Sequence, residues 1–278
     1  MDKIKKTLKE INKKYHYNIF IGIPCYGGNL NLGFVRSFIE LRELFKECNV
    51  KSETRWMSGE SLISRGRNSL FSEFIRKREY THFLFIDVDI TFSPISIINL
   101  LLCDMELTGI SYPKKNINWL KVEKHSNLIQ KNISEFQNKI TDMNFNPKYY
   151  KNDKGYFMNG IKNLIECKNI PTGMMLIQRV VADLLVFNYG NKDGYSYRNN
   201  IAGLGNYKMY DFFKTGVVDD IYLSEDYYFC KLCENIGIQM FIDPNSTLVH
   251  TGNYDFVGCL KYSLQDDSLN RDSMMMRQ

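Results

Sequence analysis

Short apolar runs alternate along this chain with segments whose apolar residues recur every three or four positions. That alternation limits the fold more than any other feature. Asn18 to Pro24, Val50 to Met57, Phe83 to Ile86 and Leu107 to Tyr112 read as strands. Phe34, Phe38, Leu41, Leu44 and Phe45 mark a helix between the first two, and Leu62, Ile63, Gly66, Leu70, Phe71, Phe74 and Ile75 mark the next. Pro94 opens a third, carried on by Ile95, Ile98, Leu101 and Leu102. Strands joined by crossovers of helical length predict an α/β fold, a Rossmann-like, mainly parallel sheet flanked by helices. Ligands of such sheets sit beyond the carboxyl ends of the strands.

The pattern dissolves between Lys114 and Ile170 into Asn, Lys and Tyr, which predicts a long structureless insert or lid. It resumes with a strand at Pro171 to Ile177 and a helix through Val180, Leu184 and Leu185. A second polar, tyrosine-rich loop spans Asn188 to about Asp220. Ser224 reads as the N-cap of a helix with Glu225 and Asp226 in its first turn and Phe229, Cys230, Cys233 and Ile236 on its buried face. A last strand, Gln239 to Ile242, leads to Leu248-Val249-His250-Thr251-Gly252. Residues 1–262 are expected to form one domain, with a basic helix over 1–17 and a disordered tail over 263–278.

Chemistry concentrates where Phe83-Leu84-Phe85-Ile86 runs into Asp87-Val88-Asp89. Continued as a strand, this segment would place both carboxylates on one face with Val88 behind them. Paired carboxylates at a strand end suit Mg²⁺ or Mn²⁺, which fill their other positions with substrate phosphates. The competing expectation is two solvated acids capping a strand.

Bulk properties narrow the class. A net charge of +5 spread along 278 residues gives no footprint for nucleic acid. The one dense basic segment, Lys3 to Lys14, carries Ile4, Leu8 and Ile11 at helical spacing. It reads as a solvated helix docked through its apolar stripe, with peripheral membrane contact as the alternative. No run reaches the ~18 apolar residues of a membrane span, and no signal-peptide core follows the basic start. The seven cysteines are odd in number and scattered, and Cys230 and Cys233 form a lone CxxC, which argues for free thiols in a reducing, cytoplasmic setting. Abundant Asn, Lys, Ile and Tyr fit an AT-rich genome such as a virus's, in which case the setting is the host cytoplasm.

In order along the chain stand Pro24-Cys25-Tyr26, Ser64-Arg65-Gly66-Arg67-Asn68, Asp87-Val88-Asp89, Pro171-Thr172-Gly173, Ser224-Glu225-Asp226 and His250-Thr251-Gly252 with Phe256-Val257-Gly258 behind it. This series resembles the metal-dependent glycosyltransferases of the GT-A fold, in particular viral, phage and bacterial forms. The resemblance covers roughly 18–113 and 171–258. It implies a GT-A-type sheet with long inserted loops and a hexosyltransferase-like enzyme that moves sugar from a nucleotide donor, expected to be a UDP-sugar, to a glycan or protein acceptor. It further implies Asp89 as a direct metal ligand, Asp87 on the ribose or the metal, and His250 as a closing ligand, a donor set that favours Mn²⁺ over Mg²⁺. Pro24, Cys25, Tyr26 and Val88 would line the nucleotide. Arg65 and Asn68 would reach it from the second helix, with Arg67 left on a solvated face. Asp226, with Glu225, would serve as the base that deprotonates the acceptor, kept ionised by the helix dipole.

The rival reading is a haloacid-dehalogenase-like phosphatase, with Asp87 as nucleophile and Asp89 as acid/base. That family carries its motif on the first strand, whereas here two predicted strands precede it.

Overall fold

A computed structural model of the chain describes residues 2–152, 155–198 and 207–266. Helix α1 (Asp2–Tyr15) leads into β1 (Asn18–Cys25), α2 (Leu32–Glu47), β2 (Lys51–Ser58), α3 (Ile63–Arg76) and β3 (His82–Ile86). After the acidic turn come β4 (Ile90–Thr91), α4 (Pro94–Cys103) and β5 (Leu107–Ile110).

The 114–170 stretch is not structureless. It holds α5 (Trp119–Lys124), α6 (Ile133–Lys139), β6 (Asn146–Pro147), β7 (Tyr149–Asn152), β8 (Gly155–Met158), β9 (Gly160–Ile161) and β10 (Leu164–Asn169). Its elements are too short for a periodicity to register, and β6, β9 and β10 owe their place to pairing within the central sheet. Then follow β11 (Met174–Gln178), α7 (Arg179–Tyr189), β12 (Ser196–Arg198), β13 (Lys208–Tyr210), β14 (Gly216–Val218) and β15 (Ile221–Leu223). The chain closes with α8 (Glu225–Asn235), β16 (Met240–Asp243), β17 (Thr247–Thr251), β18 (Asp255–Cys259) and α9 (Leu260–Asp266). The expected tail therefore starts inside α9, and 267–278 lie outside the described residues.

The central sheet has the order β2-β1-β3-β11-β5-β16-β10-β6, with β9 on β10. It is mixed rather than simply parallel. β1 runs parallel to β2 and β3, and β5 parallel to β16, whereas β11 runs against both its neighbours and β10 against β16 and β6. The other strands share one direction, so the sheet is mostly parallel in sense. The sequence hides the reversal because a strand buried on both faces is an unbroken apolar run whichever way it points. Reversal brings Gly173 to the carboxyl end of β3, where Met174 pairs with Ile86 and the Asp87 amide donates to the Gly173 carbonyl at 3.1 Å.

Side-chain parity on β3 divides the core. Phe83 and Phe85 pack with Phe20, Phe71, Phe74, Phe213 and Phe229 under α3 and α8. Leu84 and Ile86 pack on the opposite face with Ile21, Ile23, Phe34 and Leu41 under α2. Leu8 of α1 is fully buried on that second face, with Ile4 and Ile11 beside it, so the basic helix docks through its apolar stripe. All seven cysteines are free, and Cys230 and Cys233 are core residues of α8. Among the described residues no helix is long and apolar enough to cross a membrane.

Candidate functional site

The acidic motif is a turn, not a strand end. Regular pairing of β3 stops at Ile86, and the Ile90 amide donates to the Asp87 carbonyl at 3.2 Å, closing a four-residue turn with Val88 and Asp89 at its centre. Two further hydrogen bonds pin this turn. Asn31 N–H reaches the Val88 carbonyl at 3.3 Å and Thr251 N–H the Asp89 carbonyl at 2.8 Å. The two carboxylates therefore do not share a strand face, as simple alternation required; each has its own surroundings.

Asp87 keeps the parity of Phe83 and Phe85 and points under α3. There the Nη2 of Arg67 donates to both its oxygens at 3.0 Å, and Arg67 Nε reaches Glu225 of α8 at 3.2 Å. The Arg67 side chain is 4% exposed and lies 5.1 Å over the Phe85 ring. Burial works to strip its proton, but Asp87 and then Glu225 outweigh this and hold the guanidinium charged well above its usual range. Its buried Nη1 has no hydrogen-bond partner among the described residues.

Arg67 is therefore a buried clamp and not part of a solvated face. It sits three, four and seven residues before Leu70, Phe71 and Phe74, on the apolar stripe of α3, and that spacing was the signal to read. Arg65 instead lies on the outer face and forms an exposed fork with Glu60 at 2.5 and 2.9 Å. Asn68 is buried and turned away from the motif. It donates to Asp211 at 2.6 Å and accepts from the Phe213 amide at 2.8 Å, tying down the segment after β13.

Asp89 faces outward into different company. Lys115 Nζ stands 2.6 Å from its Oδ2, and His250 Nε2 stands 3.4 Å from the same oxygen. Burial alone would raise this carboxyl, but the hydrogen bonds of His250 and Lys115 dominate and hold it down at about 2. His250 lies within β17 rather than after a strand, paired with Ile90 of β4, and that pairing brings it to the motif. Its Nδ1 is 2.8 Å from the Pro113 carbonyl. A carbonyl only accepts, so Nδ1 carries a proton, and Nε2 is the nitrogen turned to Asp89. Tyr112 packs edge-on against the imidazole at 4.9 Å and against Gly173, where a Cβ would meet its ring at 2.6 Å.

A cleft of about 310 Å³ opens at the carboxyl ends of β1 and β3, lined by Pro24, Tyr26, Met57, Glu60, Arg67 and all three residues of the acidic motif, including Val88. Tyr26 is 67% exposed there. Cys25 is not a lining group; its buried thiol points to the Asn29 carbonyl.

Glu225 meets the cleft only through Arg67. Asp226 is 9% exposed, and its Oδ1 accepts from the Ser224 hydroxyl and from the Tyr227 amide at 2.9 Å. Ser224 stands at the N-cap but spends its hydroxyl on Asp226 rather than on the helix amides. Burial, and then the charge of Glu225, push the Asp226 carboxyl up, against the expectation that the helix dipole would hold it ionised. Here desolvation outweighs the dipole.

As donors for a cation, the residues fit in part. Asp89 and the Nε2 of His250 form an oxygen–nitrogen pair whose imidazole is oriented by a backbone carbonyl, the arrangement that supports a metal-binding histidine. Asp87 does not join them, because Arg67 takes both its oxygens. Among the described residues no group of three or more His, Cys, Asp or Glu side chains is gathered to hold a metal ion. Any cation here must complete its shell from substrate and water.

No protein-family model and no curated protein matches the chain. Among solved structures it is similar to the crystal structure of A197 from STIV, with 13% identity over 85% of this chain and 86% of that one, at a TM-score of 0.36. So distant a likeness carries no activity across. The chain is an α/β protein.

Proposed function

We propose that this chain is a glycosyltransferase that moves a sugar from a nucleoside diphosphate donor, with UDP the expected nucleotide, to an acceptor hydroxyl, using Mn²⁺ or Mg²⁺ at Asp89 and His250. The reading is carried by one observation: Asp89 sits at the rim of a cleft beyond two strand ends, with the Nε2 of His250 turned toward the same carboxylate and its Nδ1 held by the Pro113 carbonyl. A divalent cation there would act as a Lewis acid on the charge that develops as the sugar–phosphate bond breaks. The residues would divide the remaining work. Pro24 and the exposed ring of Tyr26 supply a wall for the nucleotide. Arg67 holds the turn by gripping Asp87 and links it to Glu225 and the start of α8. Asp226 is the candidate base, its affinity for a proton increased by burial and by the charge of Glu225.

The phosphatase alternative requires Asp87 to attack phosphorus. With both oxygens engaged by a buried guanidinium, that carboxylate is a poor nucleophile.

The test is cooperative binding. UDP and Mn²⁺ together are expected to raise the melting temperature more than the sum of each alone, EDTA to remove the gain, and incubation with UDP-sugars to release UDP. UDP affinity that is indifferent to Mn²⁺, with phosphate released from a phosphomonoester, would replace the transferase by the phosphatase.

A further inference from the structure

The contact between Lys115 and Asp89 has a geometry that a surface ion pair does not need. Lys115 Nζ approaches the very oxygen that His250 Nε2 faces, so ammonium and imidazole converge on one carboxylate oxygen. A cation held between Asp89 and His250 would have to take the place of that ammonium.

The backbone around Lys115 cannot retreat to make room. Lys114 N–H donates to the Asp142 carbonyl at 2.7 Å, Asn116 N–H to the Lys114 carbonyl at 2.8 Å, and Asn118 N–H to the Ile140 carbonyl at 2.8 Å. Only the side chain is free to turn. Its stem lies along Gly252, two residues beyond His250, where a Cβ would come within 3.1 Å of the Lys115 Cδ. Both partners are about one-third exposed, Lys115 at 39% and Asp89 at 34%, whereas Arg67 at 4% is locked in. Ion pairs so exposed are weak and exchange readily. Lysine suits an exchangeable role, being a compact charge on a flexible stem that also binds phosphate as a point charge.

We propose that Lys115 is a tethered counter-ion, which holds Asp89 until a divalent cation takes the carboxylate and then turns its ammonium to the donor's diphosphate. The clamped backbone keeps the displaced ammonium within a stem's length of the cleft, so the positive charge is handed over rather than lost. This role rests on the glycosyltransferase reading. It adds to that reading a residue from the 114–170 segment that makes cation entry and nucleotide entry depend on each other.

The experiment is a pair of calorimetric titrations on the full chain, wild type against Lys115→Met, with Lys115→Gln as a second variant and urea midpoints to verify folding. With Mn²⁺ alone, both variants are expected to bind about tenfold more tightly than wild type, because a competing cation has gone. With Mn²⁺ saturating, both are expected to bind UDP about tenfold more weakly. Unchanged Mn²⁺ affinity, or unchanged UDP affinity at saturating Mn²⁺, overturns the proposal. If wild type and variants alike bind no Mn²⁺ even with UDP present, it is the glycosyltransferase reading that fails.

Discussion

Two aspartates separated by one residue occupy opposite physical regimes in this protein. Asp87 is held in two hydrogen bonds by an arginine that is almost wholly buried and stands over an aromatic ring. Asp89 is held by a lysine and a histidine at the rim of the cleft, both from segments distant in the chain. The first arrangement is a structural clamp, costly to open because it would strand charge away from water. The second is an exchangeable site. The acid–x–acid motif is thus one anchor and one working group, and the turn between them separates the two.

Breaking the anchor has the largest expected effect. Arg67→Met removes the shared cation from Asp87 and Glu225 and is expected to cost about 3–5 kcal/mol in urea denaturation at pH 7. A loss under about 1 kcal/mol would mean that Arg67 is as readily replaced by water as Lys115, and the contrast between the two cations would collapse.

The working side has a smaller, pH-dependent signature. Asp89 is depressed from its usual 3.8 to about 2 in the folded chain. Between those values the unfolded chain binds more protons, so the stability Asp89 contributes is complete above about pH 4 and is lost as pH falls toward 2. Discounted for an exposed pair, this amounts to about 1 kcal/mol. Asp89→Asn is expected to flatten the acid limb of the stability profile by that amount, measured as urea midpoints between pH 4 and pH 2. An identical acid limb in the variant would show that the pair with Lys115 is not maintained in solution.

The smallest effect sharpens the same contrast one helix away. Arg65→Ala should change stability by about 0.5 kcal/mol, since the Arg65 side chain is 49% exposed and only its partner Glu60, at 8%, is shielded. It should also leave UDP binding within twofold. A larger loss of nucleotide affinity would return Arg65 to the site.

Much of the scaffold was legible from the residues. β1, α2, α3, β3 and α4 follow from apolar spacing, because each reports burial of its own face. The parity of β3 even determines that Asp87 faces α3. The turn at Val88 was missed because an apolar residue between two acids satisfies strand alternation equally well. Arg67 departs from the rule that charge is solvated because it lies on the apolar stripe of α3, where Asp87 and Glu225 compensate its burial. The reversed direction of β11, the elements within 114–170 and the meeting of Lys115 with Asp89 had no local signal at all.

The sequence by itself determined β1, α2, β2, α3, β3 and α4 and the position of the two acids just after a buried strand, because periodicity is a property of neighbours in the chain. Tertiary structure alone decided which cation each acid meets. Arg67, Lys115 and His250 reach the motif through a helix crossing, a clamped loop and a register between β17 and β4. Such pairings depend on the free energy of the whole packed sheet, and no window of sequence contains it.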